Sequence, residues 1–105
     1  MKLKDLINDR SKWTKGKFAR DKDSKECLIN SPNAVKFCII GGLTKCYCFD
    51  AEGNRFARLT RENPYFMKLS AAIKQLHPHI TCGESSFNDL STWDEVKAVL
   101  ELADV

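Results

Sequence analysis

Three helix-start signals constrain the fold of this chain more than any other feature. Ser31-Pro32 and Asn63-Pro64 each place a capping oxygen before a proline, and proline loses no hydrogen bond at the first helical position. Thr92 and Glu95 form a capping box, in which each side chain bonds the backbone N–H of the other residue. These signals predict a mainly helical protein.

Apolar residues follow two of these signals at spacings of three and four, which is the period of a helix buried on one face. The stripe after Asn63-Pro64 is Phe66, Leu69, Ile73 and Leu76, and the stripe after Thr92 is Val96, Val99, Leu100 and Ala103. The first helix should stop at His77-Pro78-His79, because proline disfavours helical geometry in the residue before it. A shorter stripe, Leu3, Leu6 and Ile7, predicts one more helix near residue 1, followed by an anchoring Trp13.

Residues 34–49 have two interpretations. One is a mostly buried helix that begins at Ser31-Pro32 and runs to about Cys46, in which the small Gly41-Gly42 pair lets another element approach closely. The other is a hairpin, because apolar runs flank the same two glycines. The capping signal favours the helix.

Two further segments are predicted to be non-helical. Residues 15–30 lack a helical period and resemble a small hairpin or an extended loop around the polar residues 20–25, and residues 50–54 have turn composition. We therefore expect a compact single domain over residues 1–105, a bundle of about four helices with a small hairpin or irregular insertion. A two-layer α+β fold is the alternative.

Composition points to a protein of the cytoplasm without a membrane segment. The longest apolar run, residues 37–43, is far shorter than a membrane-spanning helix, and residues 1–5 turn polar before the apolar core of a signal peptide could form. The five cysteines are an odd set, so we expect reduced thiols instead of a disulfide framework.

Charge is distributed unevenly along the chain. Residues 1–80 carry sixteen basic and eight acidic side chains, whereas residues 81–105 carry one and six. An acidic last helix that lies against a basic body would explain this asymmetry, and a basic surface for phosphates is the second explanation. We favour the first.

Four motifs occur in a familiar order: Trp13-Thr14-Lys15-Gly16, Ala19-Arg20-Asp21, the stretch 34–43, and Phe87-Asn88-Asp89 before Thr92. This order resembles a family of small uncharacterised bacterial and phage proteins, a domain of unknown function with Trp-x-x-Gly…Ala-x-Asp, Ala-x-x-Trp-Cys-x-x-Gly-Ala and Asn-Asp elements. The resemblance covers most of the chain except about residues 45–62. It implies a phage or mobile-element context and no known activity.

The chain departs from the pattern of this family at three positions. Phe37 stands where tryptophan is usual, Gly42 where alanine is usual, and Ser24 near a usual turn glycine.

Six residues of this pattern are candidates for a binding site: Trp13, Lys15, Arg20, Asp21, Asn88 and Asp89. The Arg20-Asp21 and Asn88-Asp89 pairs are predicted to lie in irregular segments, which carry function more often than helices and strands do. A structural role is the favoured alternative. In that role the Asp and Asn side chains bond the backbone of turns, and Arg20 forks onto one of the two carboxylates to tie the central loop to the loop before the last helix.

Cysteine and histidine offer a metal site as a weaker hypothesis, with Cys46, Cys48, His77, His79 and Cys82 as ligands. Their spacing differs from that of usual zinc sites, so we expect no metal and no cofactor. A nucleophile built from Cys38 or Cys82 and a histidine is also disfavoured, because a buried thiol has a raised pKa. We therefore expect no enzymatic activity.

The expected function is that of a small non-catalytic interaction protein, linked to a phage or mobile element, that binds and modulates or inhibits a host protein. The alternative is a nucleic-acid-associated accessory protein, because the first third of the chain interleaves basic residues with Trp13 and Phe18. Asp21, Asp23 and Glu26 dilute this basic run.

Overall fold

The computed structural model describes residues 1–81 and 83–105. The elements in these ranges are helix α1 (Leu3–Leu6), a 3-10 turn (Arg10–Lys12), strands β1 (Ala19–Arg20) and β2 (Lys36–Phe37), and helices α2 (Ile39–Cys48), α3 (Pro64–Leu76), α4 (Glu84–Leu90) and α5 (Trp93–Ala103). The prediction of a mainly α fold with a small hairpin is confirmed. In the described ranges, no helix combines the length and the apolar composition needed to cross a membrane.

Two of the three predicted helix starts are confirmed. The Asn63 side chain accepts hydrogen bonds from the backbone N–H groups of Tyr65 (2.9 Å) and Phe66 (3.2 Å) at the start of α3. Thr92 and Glu95 form both bonds of the capping box at the start of α5, at 3.3 and 3.0 Å. Each cap is formed by hydrogen bonds between residues close in sequence, so it forms whatever the surrounding fold is.

The third predicted start is wrong. Ser31 begins a turn in which its hydroxyl accepts from the N–H of Asn33 (3.1 Å) and its carbonyl from the N–H of Ala34 (3.1 Å). The chain then enters β2, which pairs antiparallel with β1. Because the backbone of β2 is used in this pairing, the helix starts seven residues later than the capping signal predicts.

Helix α2 begins after Cys38, whose thiol takes the place of a capping hydroxyl and accepts from the N–H of Gly41 at 3.2 Å. The glycine pair permits close packing, as predicted. A Cβ at Gly41 would overlap the backbone carbonyl of Phe18, and a Cβ at Gly42 would lie 2.7 Å from a methyl of Leu3 and 2.8 Å from one of Ile7. The start of α2 is therefore wedged between the hairpin and α1.

The hydrophobic core is formed where all five α-helices and the sheet meet. Its most buried members are Leu3, Ile7, Ala19, Phe37, Ile39, Leu43, Leu69, Phe87, Val96, Val99, Leu100 and Val105. The predicted stripe of α5 is confirmed in full, and that of α3 is confirmed at Leu69 and Ile73. Leu76 is 42% exposed at the end of α3, so its assignment to the stripe is wrong.

The Ile73→Val substitution tests this core. It should lower the free energy of unfolding by about 1 kcal/mol, because it removes one buried methylene from a side chain that is only 4% exposed. Urea denaturation followed by far-UV circular dichroism measures the effect. Leu76→Val, on the same helix but exposed, is the matched control and should change stability by less than about 0.5 kcal/mol.

The hairpin predicted within residues 15–30 is present and turns at residues 21–25. The Asp21 carboxylate accepts from the N–H groups of Asp23 (2.9 Å) and Lys25 (3.0 Å), and Ser24 has φ 63°. This left-handed conformation favours glycine. The turn is bonded within itself, which assigns Asp21 a structural role.

The predicted turn at residues 50–54 has the same geometry. The Asp50 carboxylate accepts from the N–H groups of Glu52 (3.0 Å) and Asn54 (2.9 Å). Gly53, the fourth residue, has φ 83°. The two turns thus share one geometry. The left-handed position is the preferred glycine at residue 53 and a serine at residue 24.

Ser24→Gly should therefore stabilise the protein by about 1 kcal/mol, because it removes the strain of an L-residue in the left-handed region. The reciprocal change, Gly53→Ser, should destabilise it by a similar amount. Thermal unfolding measures both. A lower melting temperature for Ser24→Gly would contradict the shared-turn interpretation.

The acidic end of the chain lies against the basic residues near its start. The Asp104 carboxylate lies 2.9 Å from the ammonium group of Lys2 and 2.6 Å from that of Lys4. Hydrogen bonds, first from Lys4 and then from Lys2, lower the pKa of Asp104 to about 2. This pairing supports the first explanation of the charge asymmetry for these residues.

Candidate functional site

Helix α4 presents the Asn88-Asp89 pair, which the sequence placed in an irregular segment. That prediction is wrong, because Glu84–Leu90 is helical. The helix has seven residues and follows Gly83, which supplies no side-chain cap, so the usual start signal is missing. Both polar side chains point at a neighbouring loop, residues 13–16, which we name the tryptophan loop.

Asn88 is fully buried and joins three segments of the chain. Its side-chain oxygen accepts from the indole N–H of Trp13 (2.7 Å) and from the backbone N–H of Ile39 (3.1 Å). Its amide nitrogen donates to the carbonyl of Thr14 (3.1 Å) and to the carboxylate of Asp89 (3.1 Å). One side chain therefore fixes the tryptophan loop, the start of α2 and α4 relative to one another.

Two more bonds complete the support of the tryptophan loop. The Asp89 carboxylate accepts from the backbone N–H of Gly16 (2.9 Å), which has the left-handed φ of 80°. The N–H of Thr14 donates to the carbonyl of Phe37 (3.1 Å). The loop is thus held on one side by α4 and on the other by β2.

Arg20 has a different structural role from the predicted fork onto a carboxylate. Its guanidinium donates to the hydroxyl of Thr14 (2.9 Å) and to the carbonyls of Lys15 (3.2 Å) and Ser24 (2.8 Å). It connects the hairpin turn to the tryptophan loop through neutral oxygens. The predicted link to the segment before the last helix is therefore wrong, because Arg20 bonds the hairpin turn and the tryptophan loop instead.

Arg20→Lys should lower the melting temperature by about 4 °C, because a lysine cannot reproduce three bonds made by a planar guanidinium. Differential scanning calorimetry measures the shift. Arg58→Lys is the control, since Arg58 lies on the exposed surface. An unchanged melting temperature would mean that Arg20 does not support the loop.

A groove of about 750 Å³ opens between the tryptophan loop and the start of α5. We name it the tryptophan groove, and its lining residues are Arg10, Trp13, Thr14, Lys15, Leu90, Ser91, Thr92, Trp93 and Asp94. The indole rings of Trp13 and Trp93 lie 5.9 Å apart at 40°, and the Lys15 ammonium lies 5.3 Å from the centre of the Trp13 ring. Leu90 stands at the edge with 77% of its surface exposed.

The structure brings five of the six predicted site residues to the tryptophan loop. Trp13 and Lys15 line the groove, and Arg20, Asn88 and Asp89 hold the loop from behind. Asp21 lies in its own turn. Two groove residues, Leu90 and Trp93, were not predicted. Trp93 lies inside the Thr92–Glu95 capping box, which indicates only a helix start, and Leu90 belongs to no motif.

The described cysteine thiols are poor nucleophiles at neutral pH. Burial raises the pKa of Cys38, and burial raises the pKa of Cys46 to about 11. Cys38 is 5% exposed, as the sequence predicted, and its thiol caps α2. These surroundings keep both groups protonated.

The predicted metal ligands do not form a cluster in the part of the chain that the structure describes. Over residues 1–81 and 83–105, no three or more His, Cys, Asp or Glu side chains meet closely enough to hold a metal ion. His77 instead packs on Phe87, with ring centres 5.1 Å apart, and faces Glu95. Cys82, the remaining predicted ligand, lies outside the described residues.

Comparisons with known proteins do not add to this geometry. No protein-family model, no curated protein and no solved structure matches the chain.

Proposed function

We propose that this chain is a small non-catalytic interaction protein that binds a partner protein through the tryptophan groove. The observation that carries the proposal is the pair of indoles, Trp13 and Trp93, in one groove with the exposed Leu90, where Asn88 fixes the indole of Trp13. Tryptophan is enriched among the residues that dominate binding energy at protein interfaces. The resemblance to small bacterial and phage proteins favours a host protein as the partner, with modulation or inhibition as the outcome.

The support of the tryptophan loop favours tight binding. Asn88 and Asp89 hold it through side-chain bonds to Trp13, Thr14 and Gly16, at 2.7 to 3.1 Å. A loop that is already ordered loses less conformational entropy when a partner binds. The groove is thus prepared for binding before the partner arrives.

Nucleic-acid binding is the second candidate, favoured by the basic residues 10–16. Several other cations of the first third are engaged within the chain: Lys17 lies 3.7 Å from a carboxylate oxygen of Glu26, and Arg20 is used by the loop. These contacts reduce the charge available to phosphates, so we rank this function below protein binding.

Capture from a bacterial host lysate, with and without nuclease, tests the proposal. The wild-type chain and its Leu90→Ala variant are compared, with Leu76→Ala as the control because Leu76 is an exposed leucine on α3. We expect the wild-type chain and Leu76→Ala to capture a protein whether or not nuclease is added. Leu90→Ala should fail to capture it. Loss of the captured protein on nuclease treatment, or equal capture by the wild-type chain and Leu90→Ala, would contradict the proposal.

A further inference from the structure

The two walls of the tryptophan groove differ in charge. The first wall, formed by Arg10, Trp13, Thr14 and Lys15, contains two cations and no carboxylate. Lys12 is a third cation on the same segment but lies outside the lining of the groove. Among the described residues, none of the three forms an ion pair. The second wall, residues 90–94, contributes one carboxylate, Asp94. The positive charge of the first wall therefore remains available to a ligand.

The groove also has three large apolar lining residues. Trp13 and Trp93 are half-buried, and Leu90 leaves 77% of its surface in water. An exposed leucine beside half-buried indoles gains free energy when an apolar side chain covers it. The volume of the groove, about 750 Å³, lies in the usual range of small-ligand sites, so the groove can hold a few side chains of a partner.

The aromatic rings are not arranged as a platform for nucleic-acid bases. The Trp13 ring already contacts the Lys15 ammonium and the Trp93 ring, and its N–H is bonded to Asn88. Stacking platforms for single strands present open ring faces to successive bases. The combination of apolar lining residues and a basic wall instead fits an apolar side chain with neighbouring carboxylates.

We propose that the tryptophan groove takes an acidic protein segment, in which one apolar side chain covers Leu90 and Trp93 while flanking carboxylates face Arg10 and Lys15. This inference rests on the proposed function and names the chemistry of the partner. The apolar anchor supplies affinity, and the charges select the segment and speed its association. Binding should weaken as salt is raised.

Selection from a random peptide display library tests the inference. The immobilised probe is the full chain, and binders that also bind the Lys15→Glu variant are discarded. We expect the enriched peptides to be rich in Asp and Glu around one Leu, Phe or Trp. Enriched peptides that are neutral or basic, or a selection that yields no binder dependent on Lys15, would overturn the inference.

Titration of the best peptide, followed by fluorescence anisotropy, measures the contribution of each part. Replacing its Glu and Asp residues with Gln and Asn should weaken binding about tenfold, as should Leu90→Ala in the protein. Lys68→Glu and Leu102→Ala, at exposed positions outside the groove, are the matched controls and should leave affinity unchanged. Thermal melts of every variant confirm folding.

The outcomes separate this inference from the proposed function. Peptides that need Leu90 but tolerate loss of their carboxylates would overturn the acidic segment and leave protein binding at the groove intact. Binding that none of the groove variants changes would overturn both. Competition between the peptide and a fluorescein-labelled single-stranded dT oligonucleotide would show that the groove binds nucleic acid, which would overturn the acidic segment.

Discussion

Asn88→Ala is expected to lower the free energy of unfolding by about 4 kcal/mol, because it leaves two donors and one acceptor without partners in the interior. The donors are the indole N–H of Trp13 and the backbone N–H of Ile39, and the acceptor is the carbonyl of Thr14. Such a loss is a large fraction of the stability of a typical small domain. Urea denaturation measures it.

Asn33→Ala is the matched control for this substitution. Asn33 is exposed and should tolerate alanine within about 0.5 kcal/mol. Near-UV circular dichroism reports on the tryptophans in the same samples, and the Asn88→Ala spectrum should lose intensity because the indole of Trp13 loses its anchor. A fully stable Asn88→Ala protein would show that the tryptophan loop is not held by this side chain.

Gly41→Ala should destabilise the protein by about 3 kcal/mol, which is the upper part of the usual range for overpacking a core. The new methyl would overlap the backbone carbonyl of Phe18. Backbone cannot move away as a side chain does, so α2 and the hairpin must separate. Thermal and urea unfolding measure the change, and loss of expression in folded form would agree with it.

Gly42→Ala separates this clash from the general effect of alanine in α2. Its methyl would meet the terminal methyls of Leu3 and Ile7, which can shift to other rotamers. We expect a loss of about 1 kcal/mol, since the helix propensity of alanine offsets part of the strain. Equal effects at both glycines would contradict the close approach of Phe18 to α2.

The parts of the fold that depend on neighbouring residues in sequence were predictable. The starts of α3 and α5 follow from caps, whose bonds span three residues. The start of α2 was not predictable from its local signal, because pairing of β2 with β1 takes the segment after Ser31-Pro32 out of helical conformation. Helix α4 escaped prediction because it is short and lacks a side-chain cap.

The candidate site shows the same division. Motif order singled out Trp13, Lys15 and Asn88, which do meet in space. Sequence could not show that the buried oxygen of Asn88 serves the indole, since that bond joins residues 75 positions apart. Leu90 and Trp93 belong to the groove because the connection between α4 and α5 lies beside the tryptophan loop.

Amide hydrogen exchange on the complex tests the central claim, that the tryptophan groove is the binding surface. The chain is measured alone and with the protein captured from the nuclease-treated lysate. We predict slower exchange in residues 10–16 and 90–94 on binding, and little change in the exposed turn at residues 50–54. Protection confined to other segments, with the groove unaffected, would contradict the account.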